Sequence, residues 1–180
     1  MAIETISEES ILRIERKWAM PNKRTFQIHP IKEFLGEEVS DGIWIDPFAN
    51  ESNWATITND LNQKFNTDYH MDALEFMKLF ESDSIDGVLF DPPYSPRQVK
   101  ECYESIGLSL TQETTQTRFW SRVKDEIARV VKPGGKAICF GWNSQGIGIN
   151  RGFVMNRILM VAHGSYRNDT ICVVETKKIM

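Results

Sequence analysis

The chain has no long hydrophobic run, no excess of positive charge and few cysteines or histidines, and each shortage removes a class of function. No stretch of its 180 residues approaches a membrane span, and Glu4, Glu8 and Glu9 stand where a secretory leader would be basic and then apolar. A formal net charge of −4 argues against affinity for nucleic acid based on a broad basic surface. DNA binding, if any, would run through local patches or a partner. Cys102, Cys139 and Cys172 are odd in number and widely spaced, which suits buried free thiols in a reducing cytoplasm rather than a disulfide framework. His29, His70 and His163 have no cysteine or carboxylate at ligand spacing, so no metal site is expected. Repeats, low-complexity tracts and long linkers are missing too. A hydrophobic content of 41% supplies one sizeable core, hence a single domain over 1–180.

What is present is organised around residues 86–95, Asp86-Gly-Val-Leu-Phe-Asp-Pro-Pro-Tyr-Ser95. Val88, Leu89 and Phe90 have the character of a buried strand, ended by Asp91 and two prolines that cannot continue a ladder. A carboxylate, two rigid residues and an aromatic ring thus sit at a strand's carboxyl end, where open α/β sheets place ligands. Methyl transfer to an amino group conjugated with a heteroaromatic ring needs this set. The lone pair of such a nitrogen is delocalised, so a site must hold it by its hydrogens while it pyramidalises. Asp91 can accept one N–H, the carbonyl of Pro92 the other, Pro93 stiffens the turn, and Tyr94 offers a stacking face. An Asp-Pro pair is also common in ordinary turns.

Around this stretch the pattern predicts an N-terminal amphipathic helix after Ser7, with Ile11, Ile14 and Trp18 on one face and Pro21 as its end, forming with the following residues an arm over 1–22. Thr25 to Ile31 alternates and is broken by Pro30, followed by a short helix near 31–35. Strands are expected at 43–45, 56–58, near 69–73, at 88–90, 136–142, 153–162 and 170–175. Helices are expected at 73–80, 95–105 and from Phe119 to Val130, the last stopped by Pro133-Gly-Gly135. The 107–117 stretch is either a lid or a surface connection. The short links 47–55 and 61–67 leave no room for the usual crossover helices. One sheet face should then be covered by the N-terminal helix, a second protomer or a partner.

Asp91-Pro92-Pro93-Tyr94 resembles motif IV of the amino-group DNA methyltransferases, which methylate adenine N6 or cytosine N4 with S-adenosylmethionine. Gly42-Ile-Trp-Ile-Asp-Pro-Phe-Ala-Asn50 is similar to their motif I, with Ala49 and Asn50 where that family carries glycines. The Lys-Pro-Gly-Gly before the fifth strand is also similar. The resemblance spans about 20–176 and implies a Rossmann-like seven-stranded class I methyltransferase sheet, an α/β single domain with core 42–176 and an antiparallel C-terminal hairpin. It also implies a cofactor pocket for S-adenosyl-L-methionine formed by Thr25, Phe26, Asp46, Pro47, Phe48, Ala49, Asn50, Asp60, Leu61, Asp72 and Ala73. Asp60 would take the ribose hydroxyls and Asp72 the adenine amino group. Asn tolerates φ > 0 best among non-glycine residues, so weakened rather than abolished cofactor binding is expected.

The motif order leaves no room for a target-recognition domain. The reading is a site-specific DNA adenine-N6 methyltransferase resembling small phage-type or orphan enzymes, with double-stranded DNA as partner and the target adenine flipped out. Sequence recognition would come from loops, a homodimer or a partner chain. A non-catalytic methyltransferase-like partner subunit, an RNA adenine or DNA cytosine-N4 enzyme, and a small-molecule or protein methyltransferase are the alternatives.

Overall fold

The computed structural model describes residues 11–93, 96–105, 107, 117–164 and 166–179. Seven strands form one sheet: β1 (Arg13–Trp18), β2 (Trp44–Asp46), β3 (Ile57–Thr58), β4 (Ile85–Phe90), β5 (Val131–Gly141), β6 (Phe153–Ala162) and β7 (Thr170–Lys177). Their order is β1-β6-β7-β5-β4-β2-β3. Strand β7 is antiparallel to both β5 and β6 and every other pairing is parallel, so six strands run together and end on one rim. The antiparallel C-terminal hairpin expected from the sequence is the β6–β7 pair.

Helix α1 (His29–Glu38) covers one face, while α2 (Ala73–Lys78) and α4 (Thr117–Val130) cover the other; α3 (Pro96–Ser105) follows β4. Strand residues alternate between the two faces. Leu89, Ile138, Phe140 and Val174 meet Ile31, Phe34 and Leu35 of α1, whereas Val88, Phe90, Ala137 and Cys139 meet Phe76, Met77, Val123 and Ile127. A sheet dressed on both faces needs near-continuous apolar strands, which is how β4 and β5 read. Cys139 and Cys172 are buried free thiols whose pKa burial pushes up; the side chain of Cys102 lies outside the described residues.

Several expectations are corrected. Residues 13–18 are not a helix but edge strand β1, lying parallel to β6 with Ile14 opposite Ile158 and Trp18 opposite Ala162. Positions i and i+4 share a face in both a helix and a strand, so Ile14 and Trp18 fit either period. Tertiary chemistry decides. Arg157 of β6, 7% exposed, bonds Glu15 of β1 (2.7 Å) and Glu37 and Glu38 of α1 (2.7 and 2.8 Å), and its guanidinium lies 4.7 Å from the Phe34 ring centre. The strand expected near 69–73 is reduced to one bridge between Asn59 and Tyr69; β1 is the seventh strand instead. Thr25–Gln27 forms a 3₁₀ turn rather than part of an alternating segment. Helix α1 starts at His29, before Pro30, because proline suits the first helical turn.

Helix α4 ends at Val130, and Val131 already pairs with Ile85, so Pro133-Gly134-Gly135 is an outward loop inside β5 rather than a helix stop. At Gly135 a Cβ would sit 2.8 Å from the backbone oxygen of Asp86, which only glycine avoids. The links 47–55 and 61–67 hold no helix, as their shortness required; α2 follows β3 only after the bridge between Asn59 and Tyr69. On that side Trp54 and Ala55, from the β2–β3 link, pack against the α1 cluster in place of the expected N-terminal helix. Residues 108–116, most of the expected lid, lie outside the described residues.

Candidate functional site

The carboxyl ends of β2, β3 and β4 open into a cavity of about 560 Å³, within the range of small-molecule sites. Asp91, Pro92 and Pro93 continue β4 into its wall, and Pro47, Phe48, Ala49 and Asn50 continue β2. Asp60 and Leu61 follow β3, Asp72 and Ala73 open α2, and Thr25 and Phe26 come from the turn before α1. Thirteen of the fifteen expected site residues line this one cavity. The two that do not are Tyr94, which lies outside the described residues, and Asp46, which is fully buried immediately before the cavity wall.

The β2 turn works without glycine because its backbone is held from β3. Ala49 N–H donates to the Asn59 carbonyl (2.9 Å), and Asn50 N–H donates to Asp60 Oδ2 (2.9 Å). Asn50 takes φ +53°, the left-handed geometry that asparagine tolerates. Asn59, fully buried, donates from its amide to the carbonyls of Pro47 (3.1 Å) and Met71 (3.0 Å) and accepts from Met71 N–H (3.0 Å). One side chain thereby fixes the relative position of three cavity segments. Nothing in the sequence singled it out.

The site is acidic. Asp60 Oδ1 accepts from Asn62 N–H (2.8 Å) while Oδ2 accepts from Asn50, and burial raises its pKa against those bonds. Asp72 caps α2 with Oδ1 on Leu74 N–H (2.9 Å), so its other oxygen is not spent on the cap. Asp46 Oδ1 accepts from Phe48 N–H (2.9 Å), but Oδ2 is buried with no partner among the described residues. Burial lifts the Asp46 pKa well above the ordinary carboxylate range, and the charges of Asp91 and Asp60 add to it.

Sequence reasoning missed the aromatic wall. Trp120 of α4 lies 5.7 Å from Phe48 and 6.5 Å from Phe90, centre to centre, and Phe119, Val99 and Tyr103 also face the cavity. The helical period found the buried face of α4 through Phe119 but gave no cue for its neighbour Trp120. Lys23, Arg24 and Glu51 stand at the lining as well, the last two as an ion pair. Carboxylates able to accept from hydroxyl and amino groups, together with flat apolar walls, suit a nucleoside-sized ligand bearing positive charge. Among the described residues no three acids, histidines or cysteines stand together as a metal site, and no helix is long and apolar enough to cross a membrane.

No protein-family model and no curated protein sequence matches the chain. Solved structures do. The 1,6-didemethyltoxoflavin-N1-methyltransferase of Burkholderia thailandensis, bound to 1,6-didemethyltoxoflavin and S-adenosylhomocysteine, superimposes with a TM-score of 0.56 at 10% identity, over 83% of this chain and 77% of that one. A methyltransferase in complex with the Haloferax volcanii Trm112 methyltransferase activator gives 0.56 at 13% identity, over 87% and 91%. TrmN from Thermus thermophilus gives 0.53 at 13%, over 86% of this chain and half of that one. The fold is that of the class I methyltransferases. At these identities the likeness carries the fold and no more. Within this methyltransferase fold, the cavity occupies the carboxyl-end rim where the sheet order reverses around β2 and β4.

Proposed function

We propose that the protein transfers a methyl group from S-adenosyl-L-methionine to the N6 amino group of adenine in DNA. The observation that carries this reading is that Asp91, Pro92 and Pro93 share one cavity with Asp60 and Asp72. A target-amine holder and two acceptors suited to an adenosyl group are within one enclosure. The fit of the cofactor is supported by volume and by the acidic lining that favours a sulfonium. When bound, the cofactor supplies an electrophilic methyl group.

The chain's own residues do the rest. Asp60 accepts from the ribose hydroxyls, Asp72 from the cofactor's adenine amino group, and Phe48 with Trp120 provides apolar walls. Asp91 and the Pro92 carbonyl accept the two hydrogens of the target amine and orient its nitrogen lone pair. Asp91 then receives one of those protons as the amine is alkylated. The absence of glycines from the β2 turn favours the alternative of a non-catalytic partner subunit. The bonds from Asn59 and Asp60 to that turn weigh against it, since they keep the wall in place.

The test is calorimetric titration with S-adenosylmethionine, paired with transfer of labelled methyl to adenine-containing oligonucleotides. Micromolar binding and labelled N6-methyladenine are expected, with Asp91→Ala abolishing transfer and leaving cofactor affinity nearly unchanged. Absence of cofactor binding, or transfer that survives Asp91→Ala, refutes the assignment.

A further inference from the structure

The rim that carries the cavity continues beyond it, and its far half is built unlike a hydrophobic edge. Passing outward from β4, the strand ends are those of β5, β7, β6 and β1, about 19 Å in all at the usual strand spacing. Three large rings stand exposed along this path. Trp142 follows β5 and is 42% exposed, Tyr166 lies in the β6–β7 connection at 90%, and Trp18 ends β1 at 65%. Two of them are mounted on a braced base. His163, buried, donates from Nδ1 to the Ala19 carbonyl (2.9 Å), and its Nε2 then accepts from the Thr170 hydroxyl (2.8 Å), tying the end of β1 to the start of β7. Gly164, at φ +69°, turns the connection so closely that a Cβ would lie 3.3 Å from the Trp18 indole nitrogen. Arg167 N–H closes that turn on the Gly164 carbonyl (3.3 Å).

The charges follow the same path. Arg167 is exposed beside Tyr166, and Lys23, in the segment that runs from β1 to the cavity, is exposed at the cavity lining. Neither has an ion-pair partner among the described residues. The acids nearby are occupied: Glu51 pairs with Arg24, and Asp169 Oδ1 accepts from His163 N–H (3.4 Å).

Resting on the reading of the cavity as a methyltransferase site, we propose that this rim is a track for a single strand of nucleic acid flanking the target base, with Trp18 and Tyr166 as stacking platforms and Arg167 and Lys23 as phosphate contacts. Bases of a duplex are stacked on one another and offer no free face to an exposed ring. Unpaired bases do, and platforms of rings with interspersed cations are how strands are held with little sequence readout. The occupant is therefore an unpaired strand and not the double-stranded partner expected from sequence. It also fits a chain of net negative charge, because stacking carries part of the affinity that a basic surface would otherwise supply.

The experiment is fluorescence anisotropy of a labelled oligothymidylate, which contains no adenine and so reads the track without the cavity's target. The oligothymidylate should bind at least tenfold tighter than a duplex of equal length. Trp18→Ala and Tyr166→Ala should each weaken it about tenfold, the scale of one lost stacking contact. Trp18→Phe should retain most of the binding, and Arg167→Gln should flatten the salt dependence. S-adenosylmethionine affinity of the Trp18→Ala/Tyr166→Ala variant, measured in parallel, should be unchanged and doubles as a check of folding. Equal affinity for the duplex, or a double alanine variant that binds as wild type, overturns the track even if methyl transfer is found. Ring-dependent oligothymidylate binding without any methyl transfer supports the track and counts against the function assigned to the cavity.

Discussion

Replacing Asp60 by alanine should weaken binding of S-adenosylmethionine by about 1 to 3 kcal/mol, the scale of a hydrogen bond to a charged acceptor, or about 5- to 150-fold in Kd. Two features of the structure set this size. Asp60 is half-buried in the cavity wall, so an accepted ribose hydroxyl would be shielded from competing water. It also holds Asn50 N–H and Asn62 N–H, so its loss loosens the β2 turn. Asp60→Asn separates the two contributions, since the amide oxygen still accepts one backbone N–H while the charge is gone. It should fall between wild type and alanine. Burial raises the Asp60 pKa in the free protein, so affinity should begin to fall, on acidification, at a pH above the ordinary aspartate value of about 3.9. Isothermal titration across pH 4 to 8, with thermal melts as the control for folding, reads all three. Unchanged Kd in Asp60→Ala, with the melt intact, would place the ribose contact elsewhere and refute the reasoning.

Two further expectations concern stability. Arg157→Ala should destabilise by about 3 to 5 kcal/mol, because it strands Glu15 and Glu38 beside a vacated site, and lower the melting temperature by about 6 to 20 °C. The arginine holds the folded pKa of Glu15 below its ordinary value, and that of Glu38 is also lowered, so the stability they share is present above the unfolded value and lost as pH falls through the folded ones; the gap between variant and wild type should narrow below about pH 4. A gap under 1 kcal/mol at neutral pH would show that β1 is held by its ladder alone. Asp46→Asn should raise the stability of the ligand-free protein at pH 7 by about 1 to 3 kcal/mol. Burial raises the folded pKa, so the wild type loses stability as pH climbs past the unfolded value, a loss the amide does not suffer. Equal urea midpoints for the two proteins at pH 7 and pH 4 would rule this out.

The sequence was most legible where one local rule sufficed. Strand β4 could be read because an apolar run is cut off by Asp91 and two prolines, and the same logic reached Asp46 and Pro47. Helix α2 could be read because Asp72 precedes it and does cap it. Beta strand β1 could not, because the spacing of Ile14 and Trp18 satisfies both periods and the deciding partner, Arg157, is over a hundred residues away. Asn59 was invisible for the same reason. Its three hydrogen bonds reach Pro47 and Met71, brought beside it by the parallel pairing of β2 and β3 and by the bridge between Asn59 and Tyr69. Trp120 lines the cavity from a helix whose periodicity announces a core face one residue earlier.

The departures from the resembled motif compensate one another. The links 47–55 and 61–67 hold no helix that could brace β2 and β3, and Ala49 and Asn50 stand where the resembled motif carries glycines. With little chain between Asp46 and Asp60, however, the end of β3 is close enough for Asn59 and Asp60 to bond the turn directly. A left-handed asparagine with its N–H fixed by a carboxylate does the geometric work of a glycine while being more restricted in the unfolded chain. That arrangement makes Asp60 both a structural acceptor and the candidate ribose contact. Cofactor binding and the order of the β2 turn should therefore be coupled, each reinforcing the other through one carboxylate.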